Sequence, residues 1–301
     1  MTPPASAIPA PVTRFAPSPS GPLHLGHGYA AIMAHDAAYG DVGGGGGRMI
    51  LRIDDIDAAR SRREHVASIL ADLAWLGLDW DGDPVFQSHR LARYDAALGR
   101  LAAMGLAYRC FCTRAAIAAE IAASASAPHG PAASRYPGTC RGIDPAAAAA
   151  RAATEPHCWR LDVAAAVART GPLAWHDAAL GTVAAAPLAG GDIVLARRDA
   201  PSSYHLANVV DDADLGITLV VRGADLVDAT HVQRLLQALL DLPSPRYAHH
   251  PLVLGPDGRR LAKRDRAAAL AALRDAGGDG PRLAADLHAG RFPAGYSLGN
   301  P

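Results

Sequence analysis

Four groups of residues in this chain have types and spacings that could do chemistry. The first is His24-Leu-Gly-His27, which opens a predicted helix directly after a predicted strand and a proline-rich turn. A helix N-terminus presents N–H groups and the positive end of its dipole, an arrangement that suits a phosphate. Gly26 lets a ligand approach the backbone closely, and two imidazoles there can donate to phosphate oxygens as charge builds in a transition state. The second group combines guanidinium forks with a carboxylate and a polar helix face. Arg14 and Arg222 end predicted strands and offer guanidinium forks for a carboxylate. Asp54, in the run Asp54-Asp-Ile-Asp57, also ends a strand, where α/β folds hold ligands, and can take an ammonium. Tyr204 and Asn208 share one face of a helical turn. The third group is Cys110-Phe-Cys112 with Cys140 further on, a thiolate set compatible with tetrahedral zinc. Its open position has three candidates: Tyr136, His129 and Cys158. The fourth is a basic loop, Gly258-Arg-Arg-Leu-Ala-Lys-Arg264.

The elements that must position these groups are partly legible. Val12 to Ala16 reads as a short strand, broken by Pro17-Ser-Pro-Ser-Gly-Pro22. A helix follows from Leu25 to Tyr39, a glycine turn from Gly43 to Gly47, and a second strand from Met49 to Ile53. Ser61 with Glu64 forms a capping-box pattern, and Val66, Ile69, Leu70, Leu73 and Leu76 recur at helical spacing. Another helix is predicted over Leu91 to Met104, and this alternation predicts a parallel α/β layer. From Leu106 to about Ala189 the texture changes to that of an insertion. The α/β pattern resumes with strands at Asp192 to Ala196 and Ile217 to Val221. Thr230 and Gln233 repeat the capping-box pattern before a helix with Val232, Leu235, Leu236 and Leu239 on its buried face. After Asp241 the chain reads as loop, then as weakly helical. The expected organisation is a tail over 1–11, catalytic halves at 12–105 and 190–250, an insertion at 106–189, and a basic-loop region with a short C-terminal segment at 251–301.

The stretch Arg14-Phe-Ala-Pro-Ser-Pro-Ser-Gly-Pro-Leu-His-Leu-Gly-His27 closely resembles the first signature of glutamyl-type class I aminoacyl-tRNA synthetases. The basic loop resembles the lysine-bearing signature loop of that class, and Tyr204-His-Leu-Ala-Asn-Val-Val-Asp-Asp212 resembles the glutamyl family. The resemblance implies a Rossmann-like class I catalytic core. It implies catalytic roles for His24, His27 and Lys263, and ATP, with magnesium, held by His24, Gly26, His27, Arg260 and Lys263. Glutamate would lie against Arg14, Phe15, Ala16, Pro17, Ser18, Asp54, Tyr204, Asn208 and Arg222. The chain departs from the family pattern at Arg260 and Ala262, where lysine and serine are typical, and at Asp54, where glutamate is usual. Tyr108-Arg-Cys-Phe-Cys-Thr-Arg114, Tyr136 and Cys140-Arg141 resemble the zinc insert of the glutamyl-Q tRNA(Asp) synthetases. That likeness implies one structural zinc on Cys110, Cys112, Tyr136 and Cys140.

Bulk properties narrow the function further. The 301 residues carry 29 basic and 29 acidic side chains, so any RNA contact must come from local patches such as Arg114, Arg135 and Arg141. No apolar run has membrane-spanning length, and the start lacks the pattern of a signal peptide. Four cysteines in so long a chain do not make a disulfide scaffold. The expectation is a cytoplasmic monomer without a membrane partner. Only about 35 residues follow Arg266, too few for an anticodon-binding domain. The resemblance then implies ATP-dependent, tRNA-independent activation of L-glutamate and its transfer to the queuosine base at the wobble position of tRNA(Asp). The alternatives are a truncated glutamyl-tRNA synthetase that charges the tRNA terminus and a catalytically inactive RNA-binding paralogue.

Overall fold

The computed structural model describes residues 10–40, 46–123, 136–197, 199–261 and 269–299, without the side chains of 119–123. The chain forms two compact units. The first comprises Met1–Phe86, Gly216–Asp225 and Pro245–Pro301, and the second Gln87–Leu215 and Leu226–Ser244.

In chain order the first unit begins with β1 (Val12–Phe15), α1 (Leu25–Tyr39), β2 (Arg48–Ile53), α2 (Arg63–Trp75) and β3 (Val85–Phe86). The second unit follows with α3 (Leu91–Ala103), β4 (Ala107–Cys110), α4 (Arg114–Ala123), α5 (Pro145–Ala152) and β5 (Cys158–Leu161). It continues through α6 (Val163–Thr170), β6 (Ala174–Asp177), β7 (Gly181–Ala184), β8 (Val194–Arg197) and α7 (Tyr204–Asp214). The chain re-enters the first unit for β9 (Leu219–Gly223) and the second for α8 (Val227–Leu239). It ends in the first unit with β10 (Arg246–His250), β11 (Val253–Leu254), α9 (Leu270–Asp275), α10 (Gly280–His288) and β12 (Ser297–Leu298).

In the first unit β2 runs parallel to both β1 and β3, with Arg14 opposite Ile50 and Arg52 opposite Val85. A second parallel pair, β9 and β10, sets Arg222 opposite His249. The two pairs meet where the Thr218 N–H donates to the Val12 carbonyl at 3.0 Å and the Thr218 hydroxyl accepts from the Val12 N–H at 2.9 Å. Parallel strands covered on both faces read as continuous apolar runs, and Met49, Leu51 and Ile53 are fully buried. Leu25 and Ile32 of α1, Ile69 and Leu73 of α2, and Leu270 and Leu287 complete this core.

The second unit packs α3, α7 and α8 through Leu98, Leu101, Leu206, Val209, Leu235 and Leu236. Buried Asp211 holds α3 to α7 by accepting hydrogen bonds from Gln87, Arg90 and Tyr94. A small antiparallel sheet, β4-β5-β8, places Cys110 opposite Cys158 and Trp159 opposite Ala196.

Two expected capping boxes do not form. α2 is capped by Arg62 without a side-chain bond, and Ser61 lies in the preceding turn, its N–H on the Asp57 carbonyl. Thr230 sits inside α8, where its hydroxyl donates back to Leu226. The helix starts before the pattern because the chain is already turning through Ala224–Leu226. The stretch expected to be loop after Asp241 contains β10 and β11, and β12 returns antiparallel to β11.

Candidate active site and metal centre

The turn after β1 delivers the chain to α1 through His24, and the two histidines cap the helix reciprocally. His24 Nδ1 accepts from the Gly26 N–H at 3.1 Å, and His27 Nδ1 accepts from the His24 N–H at 3.1 Å. The rings lie 3.7 Å apart between centroids. A neutral imidazole that accepts at Nδ1 carries its proton on Nε2. The cap therefore sets both rings as Nε2–H donors at a helix N-terminus, the polarity a phosphate requires. Gly26 also has a use within the fold itself. A Cβ there would stand 3.1 Å from His24 Cε1 and 3.2 Å from Nδ1, so the missing side chain seats the His24 ring.

Both stems of the basic loop lie beside this cap. Ala269 forms a bridge with His24, the Leu270 N–H donates to the Leu23 carbonyl at 2.9 Å, and Val253 lies against Gly26. The ascending part closes through the Gly255 N–H on the Arg259 carbonyl at 2.8 Å, with Gly258 at φ +70°, a conformation that favours glycine. Arg260 pairs with Asp225 at 2.8 Å. Lys263 and Ala262 lie outside the described residues.

The residues expected around glutamate fall in both units. In the first, Arg14 is buried and donates to the Val221 carbonyl at 3.3 Å, immediately before Arg222. Phe15 is core, and Ala16 to Ser18 form the start of the turn, where the Pro17 carbonyl accepts from the Asp54 N–H at 3.0 Å. Arg222 is buried and donates from Nε to His249 Nε2 at 3.1 Å, with Tyr247 beneath its guanidinium at 5.3 Å. Two buried guanidinium groups on neighbouring strands make a place for carboxylates. Asp54 is not a lone acceptor, because fully buried Arg52 grips it side-on, Nε to Oδ1 at 2.7 Å and Nη2 to Oδ2 at 3.2 Å. In the second unit Tyr204 and Asn208 lie on the first turns of α7. Asn208 is buried and donates to the Tyr204 carbonyl at 2.9 Å. Sequence reasoning missed Arg52 and His249. The apolar strand pattern interrupted by Arg52 was the available signal for the first, and only the β9–β10 register exposes the second.

In the second unit the Cys110, Cys112 and Cys140 sulfurs all lie within 4.8 Å of one another, the group of potential metal ligands found among the described residues. Tyr136 Oη stands 3.3 Å from Cys110 Sγ and 3.7 Å from Cys112 Sγ. Two backbone donors orient the set: Cys140 N–H to Tyr136 Oη at 2.8 Å and Phe111 N–H to Cys140 Sγ at 3.4 Å. Hydrogen bonds from Cys158 and then Tyr136 hold the Cys110 thiol down to about 4 against burial. Burial pushes Cys112 up to about 11. Three soft sulfurs and a phenol oxygen converging in a half-buried lobe fit a structural zinc. Cys158 lies outside the three-sulfur group, and His129 outside the described residues. Arg141 is exposed and pairs with buried Asp192 at 2.8 Å, which ties this lobe to the rest of the unit. Arg135 lies outside the described residues.

A profile described as tRNA synthetases class I (E and Q), catalytic domain, matches residues 11–285. The chain is 48% identical over 277 residues to the glutamyl-Q tRNA(Asp) synthetase of Rhodobacter capsulatus, covering 88% of this chain and 95% of that one. The chain belongs to the glutamyl-Q tRNA(Asp) synthetase family. Its wider class I kinship shows in a 40% identity to the glutamate–tRNA ligase of Oleidesulfovibrio alaskensis, over 88% of this chain and 54% of that one. The glutamate tRNA ligase structure from Elizabethkingia meningosepticum, solved with its amino acid, superposes with a TM-score of 0.69 at 27% identity, over 85% of this chain and 52% of that one. The chain thus spans about half the length of the solved ligase it matches. The α/β class I catalytic fold expected from the sequence is that of this family, whose members are ligases. Among the described residues no helix is long and apolar enough to cross a membrane.

Proposed function

We propose that this synthetase forms glutamyl-adenylate from L-glutamate and ATP without tRNA, then passes the glutamyl group to queuosine at the wobble position of tRNA(Asp). The reading is carried by the 48% identity across nearly the whole Rhodobacter capsulatus relative. The capped histidine pair and the buried Arg14 and Arg222 give it physical support.

In the first step a glutamate α-carboxylate oxygen attacks the α-phosphorus in line, and pyrophosphate leaves. This step needs positioning and charge stabilisation more than covalent catalysis. His24 and His27 would donate from Nε2, and Lys263 would neutralise phosphate charge, with Gly26 and Arg260 completing the ATP site. Arg14 and Arg222 would hold the substrate carboxylates and Asp54 the ammonium. In the second step a hydroxyl of the queuosine cyclopentenediol attacks the acyl carbon, and AMP leaves. Zinc on Cys110, Cys112, Tyr136 and Cys140 would supply a structural cross-link in the second unit. The reacting groups lie elsewhere.

The test is glutamate-dependent ATP–pyrophosphate exchange in the absence of tRNA, followed by mapping of radioactive glutamate on queuosine-containing tRNA(Asp). Exchange with glutamate and label in the anticodon loop are expected, with no label when the wobble base is guanine. Label at the terminal adenosine would instead identify a glutamate–tRNA ligase, and no exchange with any amino acid would leave the inactive paralogue.

A further inference from the structure

The second unit carries a series of aromatic rings that neither adenylate chemistry nor the metal set uses. Phe111, His157 and Trp159 follow one another at centroid separations of 5.7 and 6.5 Å. Their planes are tilted by 45° and 72°, so the rings do not stack on one another. All three are half-buried. The outer two are backed by cations: the Arg151 guanidinium lies 4.2 Å from the Phe111 ring centre, and that of Arg109 lies 4.3 Å from the Trp159 ring.

These rings line a continuous groove. Phe111 and His157 border a hollow of about 700 Å³, and His157 and Trp159 border its neighbour of about 520 Å³. The two hollows share Pro156, His157 and Arg197. Each has the size of a small-ligand site. The larger is walled by Arg114, Arg160 and Arg197 against the single carboxylate of Asp199, which pairs with Arg197 at 3.0 Å. In this larger hollow the excess is cationic although the chain is neutral overall, whereas the smaller one carries Asp95 and Glu155 against the shared Arg197.

Rings interleaved with arginines are the chemistry of a single-stranded nucleic-acid platform, in which each base stacks on a π face and the backbone follows the cations. A base in a duplex has both faces covered by its neighbours, so such a surface selects unpaired nucleotides. The groove is too charged to be a dry protein interface, whose core is depleted of charged residues.

We propose that this groove holds unpaired nucleobases of the RNA substrate on Phe111, His157 and Trp159, with phosphates on Arg114 and Arg197. The inference rests on the reading that RNA is a substrate and adds where and how a loop is held. Arg197 would exchange Asp199 for phosphate.

The experiment measures binding of the zinc-loaded full chain to an anticodon stem-loop RNA of tRNA(Asp) and to its stem as a blunt duplex. Trp159→Ala and His157→Ala should each weaken loop binding about tenfold and leave the weak duplex binding unchanged. Trp159→Phe, which keeps a ring, should restore most of the affinity. Arg114→Gln should lower the steepness of the salt dependence by about one ion. Metal content and melting temperature are followed in each variant, and His157→Ala, outside the cysteine cluster, covers the case in which Trp159→Ala fails to fold. Loop affinity within twofold of the parent chain in folded His157→Ala and Trp159→Ala overturns the inference. Equal losses for loop and duplex also overturn it. A parent chain that binds no RNA brings down the RNA-substrate reading together with it, whereas absent ATP–pyrophosphate exchange alongside intact loop binding strikes only the proposed function.

Discussion

Replacing Asp54 by asparagine tests whether its carboxylate serves the substrate or the fold. Arg52 is fully buried on β2 between fully buried Leu51 and Ile53, and the Asp54 side chain is 11% exposed. A guanidinium cannot shed its proton to escape this environment. Removing one partner of a buried pair costs about 3–5 kcal/mol. Asparagine keeps one acceptor oxygen, which puts the change at the low end, about 3 kcal/mol. For a unit of this size each kcal/mol moves Tm by about 2–4 °C, so a fall of roughly 6–12 °C is expected. Thermal unfolding by circular dichroism reads it directly. Arg52→Met with Asp54→Asn removes both charges and should recover much of the loss, the signature of a pair and not of two independent sites. The reasoning is refuted if Asp54→Asn melts within about 2 °C of the parent chain. In that case the carboxylate would act on substrate alone, and only the KM for glutamate would move.

Gly26→Ala should push the His24 ring from its seat, since the new methyl would stand 3.1 Å from Cε1. The rate of glutamate-dependent pyrophosphate exchange should drop about tenfold or more with the loss of this oriented donor, and an unchanged rate would show that the cap does not orient the ring for phosphate. Cys110→Ser or Cys140→Ser should lose zinc while Cys158→Ser keeps it. Elemental analysis decides, and zinc retained in both of the first two would overturn the ligand set. Burial pushes Asp72 up to about 6 from 3.8, with Arg274 opposing. Because the folded value is the higher, this group's contribution to stability is full below about pH 3.8 and lost as pH rises through 6. Asp72→Asn should therefore flatten the dependence of urea-unfolding free energy across that window, and an identical slope in both proteins would count against it.

The helix α1 could be read to the residue because a proline-rich break precedes it and Gly40 caps its end. β2 was legible because a buried parallel strand leaves a nearly continuous apolar run, here Met49 to Ile53 broken only by Arg52, and β1 because a proline-rich break follows it at once. The caps at Ser61 and Thr230 were misread because a capping pattern fixes a helix start only when the chain has not begun to turn before it. β10 to β12 escaped notice because they are short, carry mixed residues such as His249 and His250, and gain their meaning from partners distant in sequence. The chemistry of the site followed residue type, so the histidine pair, the arginines and the thiolates were visible. What they touch was not: the Arg222–His249 bond and the ring series beside the cysteines depend on strand register, and the Arg52 grip on Asp54, two residues away, was hidden because Asp54 reads as a substrate ligand.

The first unit is assembled from three separate stretches of chain. During synthesis β1 leaves the ribosome early, yet Thr218, which bonds both the N–H and the carbonyl of Val12, arrives 206 residues later. Nearly all of the second unit is made in that interval. Contacts this distant in sequence slow folding, and domains tend to fold as units while the chain emerges. The order of birth is therefore inverted in the order of completion. The signature histidines are among the earliest residues translated and among the last to acquire the strands and loop stems that surround them. A nascent chain halted before β9 would present most of the second unit, still without α8, and a first unit that lacks β9, β10 and both loop stems.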